Sequence, residues 1–388
     1  MKPSTSTVPE LENWEILSTF LPPEWAEQAR RLGAIRRARY ISDPAVVLRI
    51  LLLHLATGCS LAETAARSSA SGLAKISSVG VFKRLRAAEK WLRWLAQQMR
   101  DSSEIPIPLL KRRLRAVDAT SVSEPGSTGT DFKVHYAVNL ATLQCDFFKL
   151  TPVREGGETF RRVPISKGDI VMGDRVYASP PGVSHVVNAG GDVIVRLNRS
   201  ALPLYSKNGQ RIDLLSLLRA QRGVAREYFA SVKNTNGSMI PGRLIALRQS
   251  VEATRVGHKR LRRRAQQGKA TITPEALEFA GYFLAWTTLP KDIQKSQVLE
   301  LYRMRWQIEL VFKRMKSIMG LGHLPKKDPV SSRAWLEGKL FVGLLMEKMI
   351  HSAESFFPWG YGLATTSQPV AGDPVLLPTS GSDPGVAE

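Results

Sequence analysis

The chain has 388 residues, of which 43 % are hydrophobic and 23 % charged. At roughly 100–200 residues per domain this length suggests two or three domains, and the apolar content excludes disorder of the whole chain. Lysine and arginine number 55 against 34 acidic residues, a formal charge of +21. Such an excess concerns partners rather than fold. Nucleic acid is the first candidate, because each cation that neutralises a phosphate releases counterions. An anionic membrane surface is the second, but the anatomy is missing. The longest apolar run, residues 46–56, is interrupted by Arg49 and His54, whereas a span needs roughly 20 apolar residues. No basic amphipathic helix stands alone, and residues 1–11 hold no apolar signal core. Two cysteines, Cys59 and Cys145, are too few for a disulfide framework or a Cys-rich zinc site. The expectation is a reduced, cytoplasmic, nucleoid-associated protein without a membrane partner.

Residues 1–105 read as helical. A helix starts behind Asp43 and Pro44, an N-cap followed by proline at the first helical position. Gly58 stops it, and Ser60 with Glu63 has the spacing of a capping box before the next helix, 61–70. After a Ser/Gly-rich break, a long helix begins near Ser78. In it Phe82, Leu85, Ala88, Leu92, Leu95 and Met99 form one apolar stripe, with Lys83, Arg84, Arg86, Lys90 and Arg93 off it. Helix, break and basic helix outline a helix-turn-helix DNA reader; a plain helical bundle with solvated basic residues is the alternative.

From Lys111 the pattern changes to short β-rich runs at 115–122, 133–140, 145–153, 170–176 and 192–197, which with an intervening helical stretch make an α/β core. Residues 200–280 differ in composition, with strand-like runs at 227–232 and 242–249 and a basic run at 255–264. Helix returns at 296–320 and 331–353. Past Lys348 there is no Lys or Arg, and 360–388 is rich in Pro, Gly, Ser and Thr, which predicts a disordered tail.

The most informative segment has the spacing Y-x2-R-x3-E-x6-K: Tyr302, Arg305, Glu309 and Lys316. At 100° per residue these four fall within an arc of roughly 60° on one helix face. Beside it Leu301, Met304, Ile308, Val311, Phe312, Met315, Ile318 and Met319 form a broad apolar arc, which puts the polar stripe at the margin of a core. A surface helix laced by ion pairs such as Arg305–Glu309 is the ordinary explanation, but it does not account for four polar types in one narrow stripe. Two further acids, Asp118 and Asp174, each follow a short apolar strand. A lone Asp there is a turn or cap residue. Two on neighbouring strands, with a glutamate from a helix packed on the sheet, make a carboxylate trio. Unneutralised, two charges at 4 Å repel by about 4 kcal/mol at an effective dielectric of 20. Divalent metal resolves this, since Mg2+ favours a few carboxylate oxygens with water and phosphate.

At these residues the chain resembles the DDE transposases of bacterial insertion sequences, of the insertion-sequence-4 type. The resemblance rests on VDATS at 117–121, GDRVY at 173–177 and the full Y-x2-R-x3-E-x6-K signature, and it spans about residues 45–350. It implies a ribonuclease-H-like catalytic core with a β-rich insertion between the second and third acids; the 135 positions from Asp174 to Glu309 leave room for one. The implied organisation is an N-terminal helical DNA-binding region (1–105), the first part of the core (106–200), a β-rich basic insertion (201–280), the second part with the Glu309 helix (281–355), and the tail (356–388). By the same resemblance Asp118, Asp174 and Glu309 bind the catalytic metal, two Mg2+ ions with Mn2+ as a substitute. Arg305 and Lys316 contact phosphates at the transposon end, and Tyr302 positions the same backbone. The implied partner is double-stranded DNA, the terminal inverted repeats and the target, with the protein a dimer when assembled on it. Relatives cut with water, and some pass through a hairpin in which an aromatic side chain holds a flipped base. Phe283 and Trp286 lie in the corresponding region, where core packing is the alternative role for each.

Lys133 and His135, on the strand after Asp118, face the metal site if alternation places them there. The run from His258 to Arg264, with Lys259, Arg260, Arg262, Arg263 and Arg264, has no acid nearer than Glu252 or Glu275 and is read as a duplex contact. Gly156-Gly157 and Gly190-Gly191 lack a phosphate-loop pattern, so no nucleotide cofactor is expected. The reading is a DNA transposase that cleaves transposon ends and joins them to target DNA. Two rivals stay open: a non-catalytic or decayed end-binding protein, and a ribonuclease-H-like nuclease without strand transfer.

Overall fold

In the computed structural model of the chain, the structure describes residues 9–36, 41–103, 105–127, 129–268, 271–325 and 327–354; the tail expected at 356–388 lies outside them. Helices come first: α1 (Pro9–Thr19), α2 (Trp25–Arg31), α3 (Pro44–Leu55), α4 (Leu61–Ala70), α5 (Ser78–Ala87) and α6 (Glu89–Gln98). Local chemistry sets their ends. Ala45 N–H donates to the Asp43 carboxylate at 2.9 Å, with Pro44 at the first helical position of α3. Gly58 follows at φ +72°, a conformation that strains any residue with a Cβ. Ser60 and Glu63 close the reciprocal capping box of α4.

The single helix expected from residue 78 is two. Its stripe runs on, with Leu85, Ala88, Leu92, Leu95 and Met99 all buried. At Ala88, however, ψ is −1° and the N–H is shared between the carbonyls of Arg84 and Leu85. This tightened turn keeps the period while ending α5. The basic residues off the stripe divide into two groups. Lys83, Arg86 and Lys90 are exposed. Arg84 donates to the Ile41 carbonyl at 3.0 Å, and Arg93 pairs with Glu89 and, at 3.0 Å, with Glu337. Trp91, Leu92 and Leu95 of α6 are fully buried, and α6 packs along the C-terminal helix Pro329–Glu354. α6 is therefore a core helix, and its surroundings do not leave it free to enter a DNA groove.

The strands are β1 (Leu114–Val122), β2 (Phe132–Asn139), β3 (Gln144–Pro152), β4 (Ile170–Gly173), β5 (Asp192–Arg196), β6 (Ala225–Phe229), β7 (Val232–Lys233), β8 (Met239–Ile240), β9 (Arg243–Arg248) and β10 (Tyr282–Thr287). All but β7 and β8 join one mixed sheet, ordered β3-β2-β1-β4-β5-β10-β9-β6. β1, β2 and β3 form an antiparallel meander, and β4 and β5 run parallel to β1. Between β4 and β5 lies α7 (Pro180–Asn188). β10 then lies antiparallel to β5 and carries β9 and β6 out to the edge. The remaining helices are α8 (Leu214–Arg219), α9 (Val251–Gln266), α10 (Pro274–Ala280), α11 (Lys295–Met304), α12 (Trp306–Ser317) and α13 (Pro329–Glu354). Residues 201–280 thus hold helices as well as strands, and β6 and β9 extend the main sheet. Among the described residues no helix is long and apolar enough to cross a membrane.

The two faces of the sheet bury different cores. Ala116, Tyr136 and Phe283 join residues of the N-terminal helices and of α11–α13 on one face; Val117, Tyr177 and Trp286 join α7 on the other. Period-2 alternation along β1 therefore turns Asp118 toward the face that α12 covers. On the opposite face Arg115, 2 % exposed, clamps three strands. It grips Asp146 of β3 in a bidentate pair at 2.7 and 2.8 Å and reaches Asp169, just before β4, at 3.2 Å. Removing one partner of such a buried network costs about 3–5 kcal/mol, because the others stay buried and unpaired. Arg115→Ala is expected to lose stability of that order in urea unfolding followed by circular dichroism; an unchanged midpoint would rule out the clamp.

Candidate active site

Parallel pairing of β1 with β4 decides where two of the acids meet. Ala116 stands opposite Met172. Two residues further on, Asp118 and Asp174 are therefore neighbours, on strands spaced about 4.8 Å apart. Asp118 is in the middle of β1 rather than at its end as expected, and Asp174 is the first residue past β4. Local hydrogen bonds orient both. Ala119 N–H donates to Asp118 Oδ1 at 2.8 Å, and Val176 N–H donates to Asp174 Oδ1 at 2.8 Å. Gly173 makes room for the turn: a Cβ there would lie 2.6 Å from Tyr177 Cβ and 2.8 Å from the Phe160 ring.

Glu309 comes from α12, which packs over β1 and β2. The helix expected at 296–320 divides at Arg305, where the backbone tightens. Arg305 N–H bonds to the Tyr302 carbonyl at 3.1 Å and Ile308 N–H to the Arg305 carbonyl at 3.2 Å, both i,i+3 contacts. Its φ of −55° and ψ of −25° remain helical, so the stripe survives the break.

Arg305 is 7 % exposed and lies between two acids. Its Nη1 is 3.5 Å from Asp118 Oδ2, and its Nη2 pairs with Glu309. Burial works against its charge, but Tyr302, Glu309 and Asp118 more than offset that and raise its pKa. Asp118 is pushed up to about 7, first by burial and then by the charge of Asp174, with Arg305 and the Ala119 hydrogen bond opposing. Tyr302 packs its ring against Phe283 at 5.2 Å, and the Arg305 guanidinium lies 5.8 Å from its centroid. The Tyr302 hydroxyl is buried with no hydrogen bond of good geometry among the described residues, and burial, opposed by Arg305, pushes it up to about 12. Lys316 is exposed in the last turn of α12. Lys259, Arg260, Arg262, Arg263 and Arg264 are exposed along α9, which is anchored to α10 by His258 Nε2 donating to the Leu277 carbonyl at 2.9 Å.

The carboxylate oxygens suit a hard divalent cation, and the crowding of Asp118 by Asp174 gives such an ion something to neutralise. Among the described residues, however, no three His, Cys, Asp or Glu side chains stand close enough to hold an ion together. Arg305 fills the gap between Asp118 and Glu309.

Other expected residues lie elsewhere. Phe283 and Trp286 are three apart on β10, so they point to opposite faces. Phe283, 3 % exposed, backs Tyr302; Trp286, 0 % exposed, donates from Nε1 to the Ala230 carbonyl at 2.8 Å. Both are core residues, and neither offers a surface to a base. Lys133 and His135 stand opposite Ser121 and Ala119, which puts them on the face away from Asp118. His135 Nε2 hydrogen-bonds to Thr151 Oγ1 at 2.9 Å, and Lys133 pairs with Glu158 at 2.6 Å. Glu158 adds to the negative field at Asp118; nothing in its Gly-Gly-Glu loop singled it out. Arg175, Arg196 and Arg199, near Asp174 and Tyr302, also went unnoticed, because single arginines in separate segments carry no spacing signal.

Comparison with known proteins identifies the family. The family described as Transposase DDE domain matches residues 109–345, which include all three acids. The chain is 32 % identical over 361 residues to InsL of insertion sequence element IS186A in Escherichia coli strain K12, covering 90 % of this chain and 97 % of that protein. It is 32 % identical over 362 residues to the transposase of insertion sequence element IS421 from Escherichia coli, with the same 90 % and 97 % coverage. The transposase of IS231F from Bacillus thuringiensis subsp. israelensis is 24 % identical over 372 residues, 84 % of this chain and 77 % of that one.

The raised pKa of Asp118 gives a signed prediction. An acid whose folded pKa lies above its unfolded value destabilises the fold as pH rises between the two, here from about 4 to about 7. In EDTA, Asp118→Asn is expected to raise the melting temperature at pH 8, and the gain should shrink toward pH 5. A gain independent of pH would show that Asp118 is not held neutral.

Proposed function

The chain belongs to the DDE transposases and is an enzyme of DNA cleavage and strand transfer; from that premise we propose that Asp118, Asp174 and Glu309 are its catalytic acids and bind two Mg2+ ions, with Mn2+ as a substitute. One observation carries the reading. Two carboxylates leave adjacent parallel strands, and a third, on the helix above, shares a buried guanidinium with the first. When bound, the ions supply positive charge at the scissile phosphate and a more acidic water.

The side chains do the rest. Glu309 is free to join the aspartates only when Arg305 has turned away from it. A DNA phosphate offers the guanidinium a bidentate partner for that move. The transfer of Arg305 from acid to phosphate thus links end binding to assembly of the acids. Lys316, on the exposed end of α12, meets the backbone as a point charge. Tyr302 acts on the same backbone indirectly, by supporting Arg305 from below.

The antiparallel meander continued by parallel β4 and β5 supports a ribonuclease-H-like core made of residues 106–200 and 281–355. In this reading 201–280 is an insertion carrying the basic α9, and 1–105 is a helical DNA-binding region. The substrate is double-stranded DNA at terminal inverted repeats, then target DNA. Two ends need two such sites, so the protein works as a dimer on DNA, at the nucleoid.

The test is a sequencing gel of end-labelled DNA spanning an element boundary, incubated with protein in Mg2+ or Ca2+. Wild type is expected to cut at the boundary in Mg2+ and to give joined product when target DNA is added. Asp118→Asn and Glu309→Gln are expected to abolish the cut while binding the end within a few-fold of wild type. Full cleavage by either variant would sink the acid assignment; cleavage without joined product would favour a nuclease. Lys316→Ala is expected to lower the slope of log affinity against log salt by about 1, the signature of one lost phosphate contact, and an unchanged slope would remove Lys316 from the interface.

A further inference from the structure

Beyond Asp174 the sheet presents four arginines drawn from four segments. Arg175 follows Asp174 directly at the end of β4. Arg196 ends β5, the parallel neighbour of β4, with Gly173 opposite Val195. Arg199 lies in the loop that follows, and Arg260 reaches in from α9. Among the described residues none of the four takes part in an ion pair with a carboxylate.

They crowd one another instead. Arg175 is exposed, and Arg196 and Arg199 lie near enough for their charges to act on it. The pKa of Arg260 is lowered by burial and by Arg196, and that of Arg199 by burial. A fold gains nothing from like charges held together in this way. A polyanion laid across them would relieve the repulsion.

Two of the four are also held in place without using their donors. The Arg199 guanidinium lies 3.5 Å from the centroid of the Phe279 ring, and that of Arg196 lies 5.6 Å from Phe283. A guanidinium stacked on an aromatic face keeps its in-plane N–H groups directed outward. α9 is fixed to α10 beside them, with Gly257 packed so close that a Cβ would meet Ala280 at 3.3 Å.

Position gives the cluster a more specific role. Lys316 lies at the other flank of the acids. Its stem is near Gly322, whose carbonyl accepts from Ser123 N–H at 3.3 Å, just past the end of β1. Across the sheet, Lys316 stands by the end of β1, the aspartates on β1 and just past β4, and the arginines by β4, β5 and α9. A strand laid across the sheet with its scissile phosphate at the acids passes Lys316 on one side and the arginines on the other. Resting on the transposase reading above, we propose that Arg175, Arg196, Arg199 and Arg260 grip the DNA backbone on the far side of the scissile phosphate from Lys316. That is the flanking DNA before the cut, and the target DNA, which presents the same phosphates, during joining.

The experiment measures binding in Ca2+ by fluorescence anisotropy over a salt series. Three DNAs are compared: a duplex spanning the boundary, a pre-cut end without flank, and a strand-transfer joint carrying target DNA. Each arginine is changed to glutamine, singly, in pairs and together; Arg222→Gln with Arg226→Gln, two exposed arginines outside the cluster, controls for net charge against each pair. Circular dichroism melting checks the fold of every variant. On the spanning duplex the quadruple variant is expected to lose two or more units of salt slope, at about 0.9 per phosphate contact. The loss should vanish on the pre-cut end and return on the joint. Persistence on the joint but not on the spanning duplex would assign the cluster to target DNA alone and overturn its role on the flank. An unchanged slope, a loss of the same size on the pre-cut end, or a loss equal to that of the control pair would each overturn the proposal. If Asp118→Asn stops cutting and Lys316→Ala loses slope while the quadruple variant matches wild type, this proposal fails and the transposase reading stands. Wild-type protein that neither cuts nor prefers boundary DNA would overturn both.

Discussion

Two carboxylates side by side on adjacent central strands repel, and the surroundings of Asp118 answer that repulsion. Parallel pairing of β1 and β4 imposes the closeness, since the register that aligns Ala116 with Met172 also aligns Asp118 with Asp174. Burial adds to the strain, and Asp118 responds by holding its proton up to about pH 7. Arg305, at the tightened turn between α11 and α12, supplies the answering charge. The break leaves Arg305 helical, so it keeps its i,i+4 place beside Glu309, and the guanidinium lies between Asp118 and Glu309.

The rest of the core keeps these strands from drifting apart. Arg115 binds β1 to β3 and to the approach of β4 from the opposite face of the sheet. Arg113 also holds Asp169, through two hydrogen bonds of 2.8 Å. Burial alone would raise the pKa of Asp169, but these hydrogen bonds, with Arg115, outweigh it and lower the pKa. Gly173 lets the chain pass Tyr177 and Phe160 where no side chain fits. The contrast between the two carboxylates is informative. Asp169 is surrounded by donors and is structural, whereas Asp118 is left short of them and is available to a cation.

The acids proposed for catalysis stand out in the sequence because each sits in a pattern: a carboxylate behind a short apolar run, twice, although β1 runs on past Asp118, and a glutamate on a polar stripe of helical period. Capping chemistry at Asp43 and Ser60 was legible for the same reason, being local. What escaped was set by tertiary contact. The breaks at Ala88 and Arg305 leave helical angles and period intact, so no residue type announces them. Arg84 and Arg93 look like solvated cations until Ile41, Glu89 and Glu337 arrive from elsewhere in the fold. Phe283 and Trp286 are candidates for one role by sequence position, yet odd spacing on a strand sends them to different cores. The arginines around Asp174 come from four segments and meet only when the sheet is assembled.

The large positive charge is therefore not one property but two. Some cations are tied down by acids inside the fold, as Arg115 and Arg243 are, and these fix strands in place. Others are kept away from acids, stacked on rings or spread along α9, and remain available to phosphate. Arg305 stands between the classes. It is buried and paired like the first, yet its partners are acids proposed for catalysis, and a phosphate can replace them. A polyanionic substrate is then more than cargo for such a surface. By drawing Arg305 away it would expose the carboxylates, so the free cations that attract DNA and the paired one that guards the acids belong to a single electrostatic arrangement.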